Sequence, residues 1–323
     1  MKLKRSFRMR QVNKLLFSFS LYLLVTSNQV FASGAKLPDI ANILPDGNVP
    51  VTSTAPNSTT IPNTNNPPPI SQTPNKGGPY IDQITNLSSQ SDCAKTSWSN
   101  RGRAPAGYIK GVSLSFARSL CRFKSQSSIS KILSAPSSGN TSKDALAVYQ
   151  STFSSLPINV SVSGESTIRA LYVLGMGLGM RESSGSYCEG WDRSAGSNRP
   201  SSAAEAGAFQ TSYDSMAISP ELRKLYNEYI ATPNRCYQNV FKEGVKCSAL
   251  NILGTGAGAD YQKFNINCPA FATEYAMTML RIQRAHYGPI NRKEAQVIQS
   301  CNILLKSVED LVDNDPYACQ DLD

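Results

Sequence analysis

Histidine is almost absent from this chain: His286 is the only one in 323 residues. A Ser-His-Asp or Cys-His nucleophilic machine would have to use it, and a two-histidine zinc motif cannot be built. A lone histidine is usually a packed or surface residue. No Cys-x-x-Cys pair occurs, so structural zinc is not expected. No Gly-x-Ser-x-Gly elbow surrounds Ser183 or Ser184. Gly175, Gly177 and Gly179 do not make Gly-x-Gly-x-x-Gly, and they come late in an apolar run rather than just after a strand. Gly254-Thr255-Gly256-Ala257-Gly258 lacks the Lys-Ser/Thr end of a phosphate loop and is expected to be a flexible loop. No cofactor and no metal are therefore expected. Carboxylates remain as the chemistry-bearing groups.

Acidic residues are missing from the first 32 positions, which instead carry Lys2, Lys4, Arg5, Arg8, Arg10 and Lys14. An apolar stretch from Leu15 to Val25 follows, and then Val30-Phe31-Ala32 before Ser33. A basic start, a short apolar middle and a small-residue cleavage site are the layout of a signal peptide over 1–32. The apolar middle falls short of the roughly 20 residues that a membrane-spanning helix needs. No later segment is long and apolar enough. An exported chain, periplasmic or secreted, with no stable membrane span after cleavage is expected. The net charge of +9, less the six charges of that segment, leaves +3. The basic pI is thus no evidence for a nucleic-acid partner, though mild basicity suits an anionic surface.

Cysteine is missing before residue 93, and eight follow: Cys93, Cys121, Cys188, Cys236, Cys247, Cys268, Cys301 and Cys319. An even count in an exported chain predicts disulfides, whose pairing the sequence does not give. Residues 33–90 are rich in Pro, Asn, Thr and Ser, with Pro67-Pro68-Pro69 at the centre. Such a segment buries too little apolar surface to offset its ordering entropy, so a disordered linker is expected there. Residues 91–323 have the composition of one domain with a sizeable core. Apolar residues at three- and four-residue spacing predict helices over 111–124, 143–153, 167–181, 220–230, 269–285 and 292–312. The coil between Cys188 and Ala206 is polar. The fold class expected is mainly α, disulfide-stapled, with a polar loop-rich or small β region beside a cleft.

One helix stands out. On 167–181, Ile168, Leu171, Tyr172, Gly175, Leu178 and Gly179 share one side, while Val173, Leu174, Met176 and Met180 make the others apolar too. A helix apolar all round is buried. Each interior glycine costs about 1 kcal/mol relative to alanine, so several in one helix imply a backbone passing very close. Glu182 then ends a buried helix, with Gly185 as its stop. Burial and the helix dipole both disfavour the carboxylate, which would let Glu182 serve as a general acid near neutral pH. The other reading is a glutamate that simply points into solvent. Cleavage of a glycosidic bond can run on carboxylates alone.

Arg181-Glu182-Ser183-Ser184-Gly185 resembles the Glu-Ser-x-Gly segment of goose-type lysozymes and soluble lytic transglycosylases. Gly190-Trp191-Asp192-Arg193 resembles the Gly-Trp-Gly-Asp-Arg of the goose-type lysozymes, one residue shorter, and Gly207-Ala208-Phe209-Gln210 resembles the family's Gly-Leu-Met-Gln. The stretch from Cys268 to Tyr275 is similar in spacing to the family's Asn-Ile-x-x-Gly-x-x-Tyr, matching only its Tyr. Tyr287-Gly288 stands where the family has Ala-Tyr-Asn. The segments come in family order across 165–295. The chain from 91 to 160 matches nothing in that family.

The resemblance implies a lysozyme-like fold over 91–323. It implies that Glu182 protonates the oxygen linking N-acetylmuramic acid to N-acetylglucosamine in peptidoglycan glycan strands. It makes Asp192 the residue that positions water, with Glu205 and Asp214 as fallback carboxylates. Ser183, Gly207, Phe209, Gln210, Tyr213, Tyr275 and Tyr287 would bind sugar, although Tyr275 in an apolar helix suits a core equally well. A transglycosylase, in which the sugar's own 6-hydroxyl attacks, is the alternative. A non-catalytic peptidoglycan-binding protein on the same fold is another. Glu189, Asp192, Glu205 and Asp214 would also suit amines on de-N-acetylated glycan. A monomer is expected.

Overall fold

The computed structural model describes residues 78–193, 198–248, 251–315 and 317–322. The expected signal peptide, and the expected linker as far as residue 77, lie outside the described residues. The last part of that linker is a correction. Pro79–Gln90 is a helix, with Ile84 and Ser88 buried against the domain. Its apolar residues fall on one stripe, a signal masked by the polar composition around it.

Among the described residues, seven helices have eleven residues or more. They are α1 (Pro79–Gln90), α2 (Ala106–Lys124), α3 (Glu165–Ser183), α4 (Pro220–Ala231), α5 (Ala257–Asn267), α6 (Pro269–Ile282) and α7 (Gln299–Asn314). The 143–153 pattern is split into Ala145–Val148 and Gln150–Ser155. The 292–312 pattern is helical only from Gln299. The segment expected to be a glycine loop at 254–258 runs into α5, which starts at Ala257. A short hairpin pairs β1 (Ser97–Trp98) with β2 (Gly102–Arg103), Ser97 opposite Arg103 and Trp98 opposite Gly102.

Helix α3 is the centre of the fold and packs against α2, α6 and α7. Every residue from Ala170 to Met180 is buried. Its glycines make room. A Cβ on Gly177 would lie 2.2 Å from the backbone oxygen of Gln296, and one on Gly179 would lie 2.2 Å from the Tyr108 hydroxyl. The Tyr108 hydroxyl donates to the Met176 carbonyl at 2.9 Å. A close backbone crossing therefore does account for Gly177.

The core also holds charge. Arg118 and Arg122 of α2 and Glu274 of α6 are almost fully buried. Arg122 Nε lies 3.4 Å from Glu274, and its guanidinium also pairs with Glu228. Arg118 stands over the Tyr229 ring at 4.4 Å, and the Tyr229 hydroxyl donates to Glu274 at 2.9 Å. Four disulfides, Cys93–Cys301, Cys121–Cys319, Cys188–Cys247 and Cys236–Cys268, use all eight cysteines. The first two tie the start of the described domain to its end.

Candidate functional site

Helix α3 ends one residue earlier than the glycine at 185 would dictate. Ser184 already takes the left-handed conformation at φ 55°, and Gly185 follows at φ 75°. The Ser184 N–H returns to the Met180 carbonyl at 3.1 Å and that of Gly185 to the Gly179 carbonyl at 3.2 Å. Glu182 is thus the second-last residue of a buried helix, and its own side chain is only partly exposed. Burial pushes its carboxyl up to about 7, and the Glu205 carboxylate adds to the rise. Arg101, Arg292 and Arg181 pull the other way. The negative end of the helix acts in the same direction as burial.

Glu205 is brought there by the tight loop that follows it. Ala206 and Thr211 exchange both backbone hydrogen bonds at 3.2 Å, and the loop between them turns through Gly207 (φ 80°) and Gln210 (φ 47°). Three ties hold the loop. The Gly207 N–H donates to the Glu189 carbonyl at 2.8 Å, Asn265 Nδ2 donates to the Ala206 carbonyl at 2.6 Å, and the Ser183 hydroxyl donates to the Ala208 carbonyl at 2.9 Å. Ser183 therefore fastens this loop to the end of α3 and is not exposed for sugar.

Burial also raises Glu205, while His286 and Arg199 draw it down. His286 Nε2 lies 3.8 Å from Glu205 Oε1 and 3.2 Å from the Gln210 backbone oxygen. The next residue, Tyr287, is 1% exposed, and its hydroxyl has no hydrogen-bond partner. Burial and the neighbouring Glu182 keep that phenol protonated. Glu182, Glu205, His286 and Tyr287 thus form one group, with two carboxyls that resist being ionised together.

The other expected site residues are distributed differently. Asp192 is exposed on the coil after Trp191, and the largest carboxylate effect on Glu182 comes from Glu205. Asp214 is exposed and accepts from the Ser202 hydroxyl at 3.2 Å, and Glu189 is exposed as well. Phe209 and Tyr275 have no exposed surface, so neither can stack on a sugar. Phe209 packs on Tyr108, and Tyr275 shares a hydrogen bond with the Ser215 hydroxyl at 2.7 Å inside an aromatic cluster with Tyr261 and Phe271. Tyr213 lies edge-on to Tyr261 with Arg223 over its ring at 5.9 Å. Gln210 contributes its backbone oxygen to His286, while its amide folds back onto the Gly207 carbonyl at 2.9 Å.

His286 and Arg101 were not expected at the site. His286 is contiguous with Tyr287, which was a usable signal. Arg101 comes from the hairpin, in the part of the chain with no resemblance to guide it. Among the described residues, Glu165, Glu309 and Asp313 place carboxylate oxygens within 4.8 Å of one another. Lys124, Arg169 and Lys306 already pair with them, so that cluster is an ion-pair network. Comparison of the chain with protein-family models, curated proteins and solved structures gives no match.

Proposed function

We propose that this domain is a glycosidase of the lysozyme type that cleaves the β-1,4 bond between N-acetylmuramic acid and N-acetylglucosamine in peptidoglycan. The carrying observation is Glu182, a carboxyl pushed up to about 7 by burial at the end of α3, beside a second carboxyl. A group poised there holds a proton at neutral pH and can release it to a leaving oxygen. Glu205 replaces Asp192 as the second carboxylate in this proposal. It would stabilise positive charge developing on the sugar or draw a proton from attacking water. Tyr287, with its hydroxyl unsatisfied, would donate a hydrogen bond to the ionised form of Glu182 after the proton has left. The four disulfides support export to an oxidising compartment, where peptidoglycan is met.

Glu182→Gln is expected to abolish clearing of purified peptidoglycan with the fold retained, and retained clearing would sink the assignment. Mass spectrometry of the released fragments decides the course. Reducing ends are expected from hydrolysis. Anhydromuramyl ends would make the protein a transglycosylase, and binding without fragments would make it a non-catalytic binder. Running the assay on acetylated and de-N-acetylated walls tests whether free amines on the glycan matter.

A further inference from the structure

Three arginines surround the end of α3, and only two of them form an ion pair among the described residues. Arg181 and Arg292 share Glu294, at 2.9 and 2.8 Å, and hold its carboxyl at about 2. Arg101 is exposed, and among the described residues no carboxylate pairs with it. Its Nη2 donates to the Arg181 carbonyl at 2.5 Å, which is the peptide oxygen immediately before Glu182.

The turn of the hairpin, which carries Arg101, is tied to the body of the domain on one side and open on the other. Trp98 is 2% exposed, and the Ser99 N–H donates to Gln296 Oε1 at 2.7 Å. Asn100 at φ 60° and Gly102 at φ 72° turn the chain, and the Arg101 N–H closes onto the Trp98 carbonyl at 3.0 Å. A Cβ added to Gly102 would meet nothing within 4 Å, so the chain just after Arg101 faces open space. One donor of the guanidinium is used on a carbonyl, and the rest of its planar fork is shaped for a carboxylate.

Capping alone does not account for this arginine. Any donor could satisfy the Arg181 carbonyl, and a positive charge here works against the proton that Glu182 has to keep. An anion arriving with the substrate would cancel that charge and leave Glu182 protonated when the acid is needed.

We propose that Arg101 forms a carboxylate-binding subsite beside Glu182 that selects acidic glycan over neutral glycan. This rests on the glycosidase reading above. The carboxylate is carried either by the lactyl group of a muramyl residue or by a peptide attached to it, and the chemistry at Arg101 is the same for both.

The test uses the full chain silenced as Glu182→Gln, and three soluble tetrasaccharides measured by calorimetry. One alternates N-acetylglucosamine and N-acetylmuramic acid with free lactyl groups, one carries stem peptides on those groups, and one is neutral chitotetraose. At least one acidic strand is expected to bind about tenfold more tightly than the neutral one. Whichever acidic strand shows the preference identifies the source of the carboxylate. Adding Arg101→Gln, which can still donate to the carbonyl, is expected to bring the acidic and neutral affinities together. Adding Arg101→Lys is expected to keep most of the preference. Equal affinity for all three strands, or a preference that survives Arg101→Gln, would overturn the subsite. Thermal melting of each variant shows whether it folds, and a misfolded Gln variant leaves the decision to the three-strand comparison and the Lys variant. Clearing of peptidoglycan by the wild-type chain is scored separately, so a failed subsite with active clearing is distinguishable from a failed glycosidase reading.

Discussion

Gly177 has no side chain where the backbone of Gln296 crosses α3, and a Cβ there would fall 2.2 Å from the Gln296 carbonyl oxygen. The contact reaches the candidate site through one more step. The side chain of the same Gln296 accepts the Ser99 N–H at 2.7 Å, and Ser99 lies two residues before Arg101. A crossing in the middle of the buried helix therefore helps to seat the hairpin at its end.

Gly177→Ala is expected to destabilise the domain by about 1–3 kcal/mol, the usual cost of overpacking where backbone has to move. Gly175→Ala is the control. Its added Cβ would meet the Met277 sulfur and methyl, the far end of a flexible side chain that can turn away. Denaturant unfolding with the disulfides intact compares the two. Equal costs would show that the Gln296 crossing is not rigid.

The helix that delivers Glu182 was legible because α3 is apolar on every face and carries glycines no exposed helix would tolerate. Its acid could be named for the same reason. The second carboxylate was harder. Asp192 resembles a family motif, but Glu205 is the carboxylate that raises Glu182, and it is set by the Ala206–Thr211 loop that three long-range hydrogen bonds place. Phe209 and Tyr275 looked like sugar platforms because aromatic residues serve cores and ligand sites alike. The buried Arg118, Arg122 and Glu274 group left no mark in the sequence, since Arg118 and Arg122 lie on α2 and the acid they meet lies on α6, far along the chain.

Glu205→Gln is expected to move the alkaline limb of activity. The negative charge of Glu205 raises Glu182, so removing it leaves Arg101, Arg292 and Arg181 to pull Glu182 below its value of about 7. The limb of kcat/KM that reports loss of the acid proton should shift to lower pH. The rate on the plateau, where Glu205 of the wild type is ionised and Glu182 still holds its proton, then separates two courses. Hydrolysis through Glu205 should lose about 10²–10⁴-fold, whereas internal attack by the sugar hydroxyl should retain its rate. An unmoved limb would show that the two carboxyls are electrostatically independent.

Arg122→Met removes the guanidinium that meets Glu274 at 3.4 Å. Glu274 is 1% exposed, so it would be left as a buried charge with a lost partner. The expected cost is about 3 kcal/mol or more in denaturant unfolding. Changing both residues, as Arg122→Met with Glu274→Met, is expected to be less damaging than the single change, because the buried carboxylate goes with its partner while Arg118 keeps Glu228 at 3.5 Å. A double variant worse than the single would mean that the pair stabilises the fold outright.

Glu182 also sets a stability cost that can be read without any substrate. Its carboxyl is raised in the folded state to about 7 from an ordinary value near 4.5. The folded protein therefore holds this proton more tightly than the unfolded chain. Between the two values the unfolded chain has already released it, so folding stability falls as pH rises through that window. Below the lower value both states are protonated and the cost disappears. Glu182→Gln should thus melt at a higher temperature than the wild type at pH 8, by a margin of about 1–2 kcal/mol once the partial exposure of the side chain is allowed for. The margin should close as pH is lowered towards 4. An advantage that stays constant across this range would come from packing rather than from the proton, and would remove the basis for treating Glu182 as a poised acid.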